Sequence, residues 1–367
     1  MNVDHPILEI RDLQVNRGGA AVLDIPCLSL SEGEVLCLIG PNGAGKSTLL
    51  LTLARLLKSF KGEIVFKGQR IESNNAILTY RRNLSMVFQE PLLFNTTVFE
   101  NVASGLKIRG MGKSEIKDIV EEYLERFGIG HLAGRSAKKL SGGEAQRTSL
   151  ARAFAIKPEI VFLDEPFSSL DPPTRESLME DLDRILRETG TTTIMATHDQ
   201  MEALRLSDRI AVMSQGKIAQ IGTPEEVMNH PVDEFVASFV GVETILSGEI
   251  VKTGAGTVIC RVQNGEIEAV GDAKPGEKVV CCIRPEQVTL STTLSRNGIS
   301  ARNTFPGKIV RISPMGLFYK ISLDCGFFLT AYVTIPSVEN LALEEGKSVF
   351  ASFKATAVHL IRRFVQG

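Results

Sequence analysis

The sequence predicts an α/β domain followed by a smaller all-β domain, and three observations carry that reading. Up to about residue 240, short apolar runs alternate with longer segments of helical period, the pattern of buried strands covered by helices. After Gly241 the texture changes to short β-rich runs separated by Gly- and Pro-containing turns, at the spacing of a small barrel or sandwich. The 367 residues are 43% hydrophobic and 23% charged, ordinary for a globular chain and enough for two or three cores. The boundary is expected near residues 239–243, giving domains of 1–240 and 241–367. No low-complexity linker separates them, so docked domains are expected.

Each element has its own signal. Val35-Leu36-Cys37-Leu38-Ile39 is a continuous apolar run of strand length. Lys46 to Phe60 carries Leu49, Leu50, Leu53, Leu56, Leu57 and Phe60 at helical spacing, with Gly62 as the stop. Ser114 to Phe127 repeats the pattern through Ile116, Ile119, Val120, Tyr123, Leu124 and Phe127, and Gly128 ends it. Ile160 to Leu163 reads as a buried strand after Pro158, Thr174 to Glu188 as a helix and Thr191 to Met195 as a strand. Ile210 to Ile221, broken by Ser214-Gln215-Gly216-Lys217, reads as a hairpin. In the second domain the strand segments are Thr257 to Val262, Lys278 to Ile283, Lys308 to Ile312, Tyr319 to Leu323 and Val349 to Phe353.

Composition narrows the function classes. A formal net charge of −2 gives no basic footprint for nucleic acid. Met1 to Pro6 is polar and shows no secretory pattern. The most apolar stretches, Val35 to Ile39 and Leu49 to Leu57, are too short or interrupted to span a bilayer. Cys27, Cys37, Cys260, Cys281, Cys282 and Cys325 lack CxxC spacing, and several lie in apolar runs. They read as buried reduced thiols of a cytosolic chain without a metal site.

The chemistry lies in spaced motifs. Gly40-Pro-Asn42-Gly43-Ala-Gly45-Lys46-Ser47-Thr48 follows a strand and opens a helix, the context a phosphate-binding P-loop requires. Glycines let the backbone N–H groups turn toward phosphates, and the helix N-terminus adds positive partial charge. Further along stand Gln89 in Val-Phe-Gln, Leu140-Ser141-Gly142-Gly143-Glu144-Ala145-Gln146-Arg147, Asp164-Glu165 after a strand, Ser169-Leu170-Asp171, and His198 in Ala-Thr-His-Asp.

In this order the motifs resemble the ABC-family ATPases: P-loop, Q-loop, signature, Walker B, D-loop and switch histidine. The resemblance covers the whole first domain. It implies an α/β P-loop NTPase core with a helical subdomain at about residues 90–157, ATP as substrate and Mg²⁺ as cofactor. It also implies the roles. Lys46 reaches the β- and γ-phosphates, while Ser47, Asp164 and Gln89 serve Mg²⁺. Glu165 polarises the attacking water and His198 donates to the γ-phosphate. Ser141, Gly142 and Gly143, with Asp171 nearby, meet the γ-phosphate held by the opposite subunit of a head-to-tail homodimer. Two departures stand out. No aromatic near residue 17 is placed to stack on adenine, leaving the Arg17 guanidinium as the stacking group. Glu144 occupies a position where the family commonly has Gln.

An ATPase of this kind that cannot span a membrane implies separate integral-membrane permease subunits. The resemblance gives Glu90 through Asn101 to Gly105 as the segment receiving a permease helix. It further implies a peripheral location on the cytoplasmic side, an extracytoplasmic substrate-binding protein acting through the complex, and no nucleic-acid partner. The alternative class, soluble ABC ATPases of DNA repair or translation, typically duplicates the cassette or inserts long coiled coils. Neither feature is present.

In the second domain, Ile283-Arg284-Pro285-Glu286 resembles a recurring element of the accessory TOBE domain of importers, which implies an OB-like β fold. Ser300-Ala301-Arg302-Asn303, Gly307-Lys308-Ile309 and Phe353-Lys354-Ala355-Thr356-Ala357-Val358 resemble, over about residues 299–363, the molybdate-binding Mop-type domain. Ser300, Arg302, Asn303, Lys354 and Thr356 are donors suited to a tetrahedral dianion. Glu144-Ala145 is likewise a pairing associated with molybdate and tungstate members. The expected cargo is therefore molybdate or tungstate, with sulfate next and iron, phosphate or sugar below it. The cytosolic anion site is expected to give feedback inhibition.

Overall fold

The computed structural model describes residues 6–57, 60–294 and 300–362. It divides into two compact units, Met1–Pro224 and Glu225–Gly367.

The first unit contains two sheets. An antiparallel one has the order β2-β1-β4-β5, built from β1 (Leu8–Arg17), β2 (Ala20–Leu30), β4 (Lys61–Phe66) and β5 (Gln69–Arg70). The other has the order β10-β9-β3-β8-β7-β6, from β3 (Val35–Ile39), β6 (Leu84–Val87), β7 (Ile160–Asp164), β8 (Thr192–Thr197), β9 (Arg209–Ser214) and β10 (Lys217–Gly222). Strands β9, β3, β8, β7 and β6 pair in parallel, and β10 closes one edge antiparallel as the expected hairpin. Every residue of β3, β7 and β8 is buried, which explains their unbroken apolar or Thr-rich sequences. Leu13, Ile25, Leu38, Leu49 and Phe162 share a core that joins both sheets to α1 (Lys46–Leu53).

The helix expected over Lys46 to Phe60 stops at Leu53. Arg55 turns to the left-handed region at φ 58, and the Leu56 and Leu57 amides donate back to the Leu51 carbonyl, a terminating turn made without glycine. Residues 58–59 of that expectation lie outside the described residues. The hairpin β1–β2 is an element that the sequence pattern does not mark. Asp12 takes φ 51 and the β1–β4 register shifts between Arg11 and Gln14, so the apolar alternation Leu8, Ile10 restarts out of phase at Leu13, Val15.

The remaining helices of this unit are α2 (Asn74–Arg82), α3 (Val98–Ile108), α4 (Lys113–Arg126), α5 (Gly142–Ala155), α6 (Pro172–Thr189) and α7 (Gln200–Leu206). Helices α3, α4 and α5 fall within the expected helical subdomain. Helix α6 starts ahead of the expected Thr174 because Pro172 and Pro173 occupy the first turn, where no N–H is needed, and Gly190 at φ 59 ends it.

The second unit begins earlier than the boundary expected near 239–243. Helices α8 (Pro224–Asn229) and α9 (Glu234–Phe239) belong with the β strands that follow. The reason is polar. Arg284 donates to the carbonyls of Met228 and Val240 (the latter at 3.1 Å), and His359 Nε2 lies 2.9 Å from the Pro231 carbonyl.

Two antiparallel five-stranded sheets form the rest. One has the order β13-β12-β11-β14-β20, from β11 (Thr244–Thr253), β12 (Thr257–Val262), β13 (Gly265–Val270), β14 (Lys278–Ile283) and β20 (Val358–Arg362). The other, β15-β19-β16-β17-β18, uses β15 (Thr289–Ser291), β16 (Asn303–Pro314), β17 (Phe318–Asp324), β18 (Phe328–Thr334) and β19 (Ser348–Phe353), with α10 (Ile335–Asn340) after β18. Cys260, Cys281, Ile309, Phe327 and Phe353 share their core. All six cysteines are free, and Cys37, Cys260, Cys281 and Cys282 are buried as expected. Cys27 is exposed, because its side of β2 faces away from the core, and Cys325 is half-buried.

Asn101 is the polar keystone of the helical subdomain. Fully buried, it accepts from the Phe94 amide at 2.7 Å and donates to the carbonyls of Phe94 at 3.1 Å and Thr97 at 3.0 Å. Arg152 of α5 donates to the Leu92 carbonyl at 2.7 Å and lies 5.7 Å over the Phe94 ring. Leu92 and Phe94 are thereby held outward, 59% and 57% exposed. Replacing Asn101 with Ala should speed hydrogen exchange of the Phe94 segment by about tenfold or more, equivalent to about 1.4 kcal/mol of local protection, leaving β7 unchanged. Exchange measured by mass spectrometry on the two peptides checks this.

Candidate active site

The loop after β3 is shaped by glycines that nothing else can replace. A Cβ on Gly40 would lie 2.3 Å from the Met213 carbonyl oxygen, and one on Gly45, at φ 103, would lie 2.7 Å from Leu23. The chain therefore curls tightly into α1 with Gly45 as its N-cap. Lys46 is 6% exposed, and its Nζ donates to the Gly40 carbonyl at 2.8 Å and the Pro41 carbonyl at 3.3 Å. Burial pushes its ammonium below the ordinary lysine range, with Glu165 and Asp164 acting in the opposite sense.

The ends of β7 and β8 face this loop. Ser47 Oγ donates to Asp164 Oδ1 at 2.9 Å, and burial pushes the Asp164 carboxyl above its usual range despite that hydrogen bond. Glu165 takes φ 48, and its amide is tied to the Ala196 carbonyl at 2.9 Å. One carboxylate oxygen lies 2.6 Å from His198 Nδ1, and the other lies 3.9 Å from Lys46 Nζ. A cavity of about 510 Å³ opens here. Asn42, Gly43, Gly45, Lys46, Ser47 and Thr48 line one side; Gln89, Glu165 and His198 line the other.

A buried ammonium and a carboxylate pair beside a cavity indicate what fits there. A buried ammonium and turned amides suit a polyphosphate, and Ser47 with Asp164 offers the hard oxygen donors that a small divalent cation takes alongside phosphate. Arg17, expected to stack on adenine, is exposed at the β1–β2 turn and does not line this cavity; Val22 of β2 does. Val22 escaped the sequence reading because β2 did.

The signature residues lie elsewhere on the unit. Ser141, Gly142, Gly143, Ser169, Leu170 and Asp171 line a second cavity of about 280 Å³, which has no lining residue in common with the first. Ser141 caps α5 in a reciprocal box: its hydroxyl accepts from the Glu144 amide at 3.3 Å, and Glu144 accepts from the Ser141 amide at 2.7 Å. That amide holds the Glu144 carboxyl below its usual range. The acidic variant thus completes a cap and leaves the glycine backbone open to the cavity. Asp171 caps α6, accepting from the Thr174 amide at 3.1 Å.

In the second unit the β16–β19 register sets Asn303 opposite Phe353, which brings Arg302 and Lys354 to the same end of that strand pair. Ser300, Arg302, Lys354 and Thr356 are exposed. Asn303 is 2% exposed, with both ends of its amide used on the Glu268 backbone at 2.8 Å, so it clamps β16 to β13. Thr356 lines a cavity of about 500 Å³ with Arg284, His359 and Arg362, whereas Ser300, Arg302 and Lys354 do not. Residues 299 and 363, the ends of the expected anion-binding segment, lie outside the described residues.

The ABC transporter family model matches residues 23–168, and the TOBE domain model matches residues 299–360. Over 337 residues the chain is 38% identical to the molybdate/tungstate import ATP-binding protein WtpC of Pyrococcus horikoshii, spanning 90% of this chain and 92% of that protein. It is 36% identical over 340 residues to the spermidine/putrescine import ATP-binding protein PotA of Ruegeria pomeroyi, spanning 91% and 90%. Among solved structures, cbiO1 from Clostridium perfringens, part of the ABC transporter complex cbiONQ, superposes with a TM-score of 0.58 at 32% identity, over 65% of this chain and 95% of that one. With a phosphate loop, a carboxylate–histidine pair and a separate signature cavity in one α/β unit, the chain belongs to the ABC transporter family, as an ATP-hydrolysing subunit with a C-terminal TOBE domain.

Proposed function

We propose that this chain is the ATPase of an importer for a tetrahedral oxyanion, molybdate or tungstate, working as a head-to-tail homodimer on the cytoplasmic face of membrane permease subunits. An extracytoplasmic binding protein delivers the cargo to the complex. The observation that carries the dimer is the separation of the two cavities. The loop that holds phosphates and the glycines that would cover the γ-phosphate share no lining residue, so a second copy completes each site.

In that dimer Lys46 and the turned amides of Asn42 to Thr48 bind the β- and γ-phosphates, and Ser141, Gly142 and Gly143 of the second copy close over the γ-phosphate. Ser47, Asp164 and Gln89 would hold Mg²⁺, which when bound neutralises charge developing on the phosphate oxygens. Glu165 draws a proton from water aligned with the γ-phosphate. His198, with Nδ1 against Glu165, keeps that carboxylate oriented and donates to the γ-phosphate. Asp171 supports the signature side. Leu92 and Phe94, held outward by Asn101 and Arg152, offer the apolar surface on which a permease helix docks. No described helix is long and apolar enough to cross a membrane itself.

The choice of oxyanion is supported by the Ser300, Arg302, Lys354 and Thr356 donors and by the resemblance to a molybdate/tungstate relative. Overall identity does not select it, because a polyamine relative is nearly as similar. A site facing the cytosolic pool suits feedback: anion bound more tightly to the separated state of the cassettes lowers ATP hydrolysis, with a coupling of about 1–3 kcal/mol.

Replacing Glu165 with Gln should cut ATP hydrolysis by about 10²–10⁴-fold while retaining ATP binding, so that ATP doubles the mass seen by light scattering. Normal hydrolysis in that variant would overturn the assignment of the base. For the cargo, calorimetry of the purified chain should give binding with molybdate and tungstate and weaker binding with sulfate. Either oxyanion should inhibit the ATPase of the assembled transporter, and Arg302→Ala and Lys354→Ala should each abolish the inhibition. An ATPase indifferent to millimolar anion would sink the feedback reading.

A further inference from the structure

His198 sits between two residues tied into one polar network. Before it, the Thr197 hydroxyl donates to Glu202 Oε2 and accepts from the Asp199 amide at 3.0 Å. After it, Asp199 caps α7, accepting from the Met201 amide at 2.8 Å. Glu202 is 3% exposed, and burial pushes its carboxyl upward against the hydrogen bond from Thr197.

The countercharge for both carboxylates comes from another helix. Arg175 of α6 places Nη1 3.2 Å from Asp199 Oδ2 and Nε 4.0 Å from Glu202 Oε1. Its Nε is buried without a hydrogen-bond partner, so its hold on Glu202 is ionic. The Arg175 amide donates to the Asp171 carbonyl at 2.9 Å, one helical turn back. Asp171 caps α6 and lines the signature-side cavity. A continuous run of contacts thus leads from the His198 turn through Asp199 and Arg175 to the first turn of α6, which Asp171 caps. A second ion pair between the same helices, Arg205 with Glu176, is exposed and open to solvent screening.

We propose that Arg175 is a positioning residue that links the His198 turn to Asp171, so that γ-phosphate contact at one site of the dimer sets the geometry of the signature side of the other. It touches neither nucleotide. Its loss acts through two neighbours at once, and the proposal rests on the head-to-tail reading above.

The test uses the assembled transporter. Arg175→Ala should lower kcat by about 10–100-fold, the cost of misplacing groups near the reaction, with KM for ATP moving by less than about threefold. The Hill coefficient for ATP should fall from roughly two toward one. Arg175→Lys should recover kcat only in part, because a single ammonium restores the charge but not the two-nitrogen hold on Asp199 and Glu202. Glu202→Gln combined with Arg175→Ala should cost no more than the worse single change, since both break the same path. An unchanged Hill coefficient in Arg175→Ala overturns the proposal. So does a loss of kcat accompanied by an equal loss of ATP affinity or by melting of the fold, because that marks a structural role alone. ATP-driven dimerisation of Glu165→Gln is read separately: its absence would refute the dimer, whereas its presence with an unchanged Hill coefficient in Arg175→Ala would refute only the linkage.

Discussion

Everything in the ATP site depends on three fully buried strands pairing in parallel, so that their carboxyl ends emerge along one edge. Ile39 lies opposite Thr197, and Asp164 lies opposite Ala196. The residues that follow are Gly40, Glu165 and His198. Distant in sequence, they are brought together by strand register alone, which a one-residue slip would scramble. A parallel sheet needs helices on its faces, so this constraint also explains why each strand is followed by a helix and why the functional loops are short.

That arrangement sets up the electrostatics. Lys46 and Asp164 are both held in surroundings that disfavour their charged forms, one by burial in the phosphate loop and the other at a strand end. Lys46 would gain a counter-charge from a polyphosphate and Asp164 from its cation, so binding would offset the burial of both groups. Glu165 is held at φ 48, a strained setting for a residue other than glycine, by the hydrogen bond its amide donates to the Ala196 carbonyl. Strain of this kind persists where the surroundings over-determine it, and here it aims a carboxylate at His198.

The second unit follows a different rule. Its strands are antiparallel and its polar groups secure one element to the next. Asn303 clamps two strands through the Glu268 backbone, and Arg284 collects carbonyls from the preceding helical segment. Side chains that resembled ligands in the sequence turn out to divide between structure and surface: Asn303 is structural, whereas Arg302, Lys354 and Thr356 are exposed.

The sequence by itself determined the two-domain order, the buried strands of the parallel sheet and the identity of the phosphate-loop, signature and strand-end residues. It could do so because apolar runs, helical periods and motif spacings are local properties of the chain. Other features needed the tertiary structure. The β1–β2 hairpin was hidden by the left-handed Asp12, which breaks the alternation that marks a strand. The early end of α1 at Arg55 lacked the glycine that signals a stop, and the move of α8 and α9 into the second unit came from Arg284 and His359 reaching back along the chain. The path through Arg175 joins residues on three segments and is invisible to any local pattern. Spacing along the chain shows which groups are present, whereas only packing shows which of them touch.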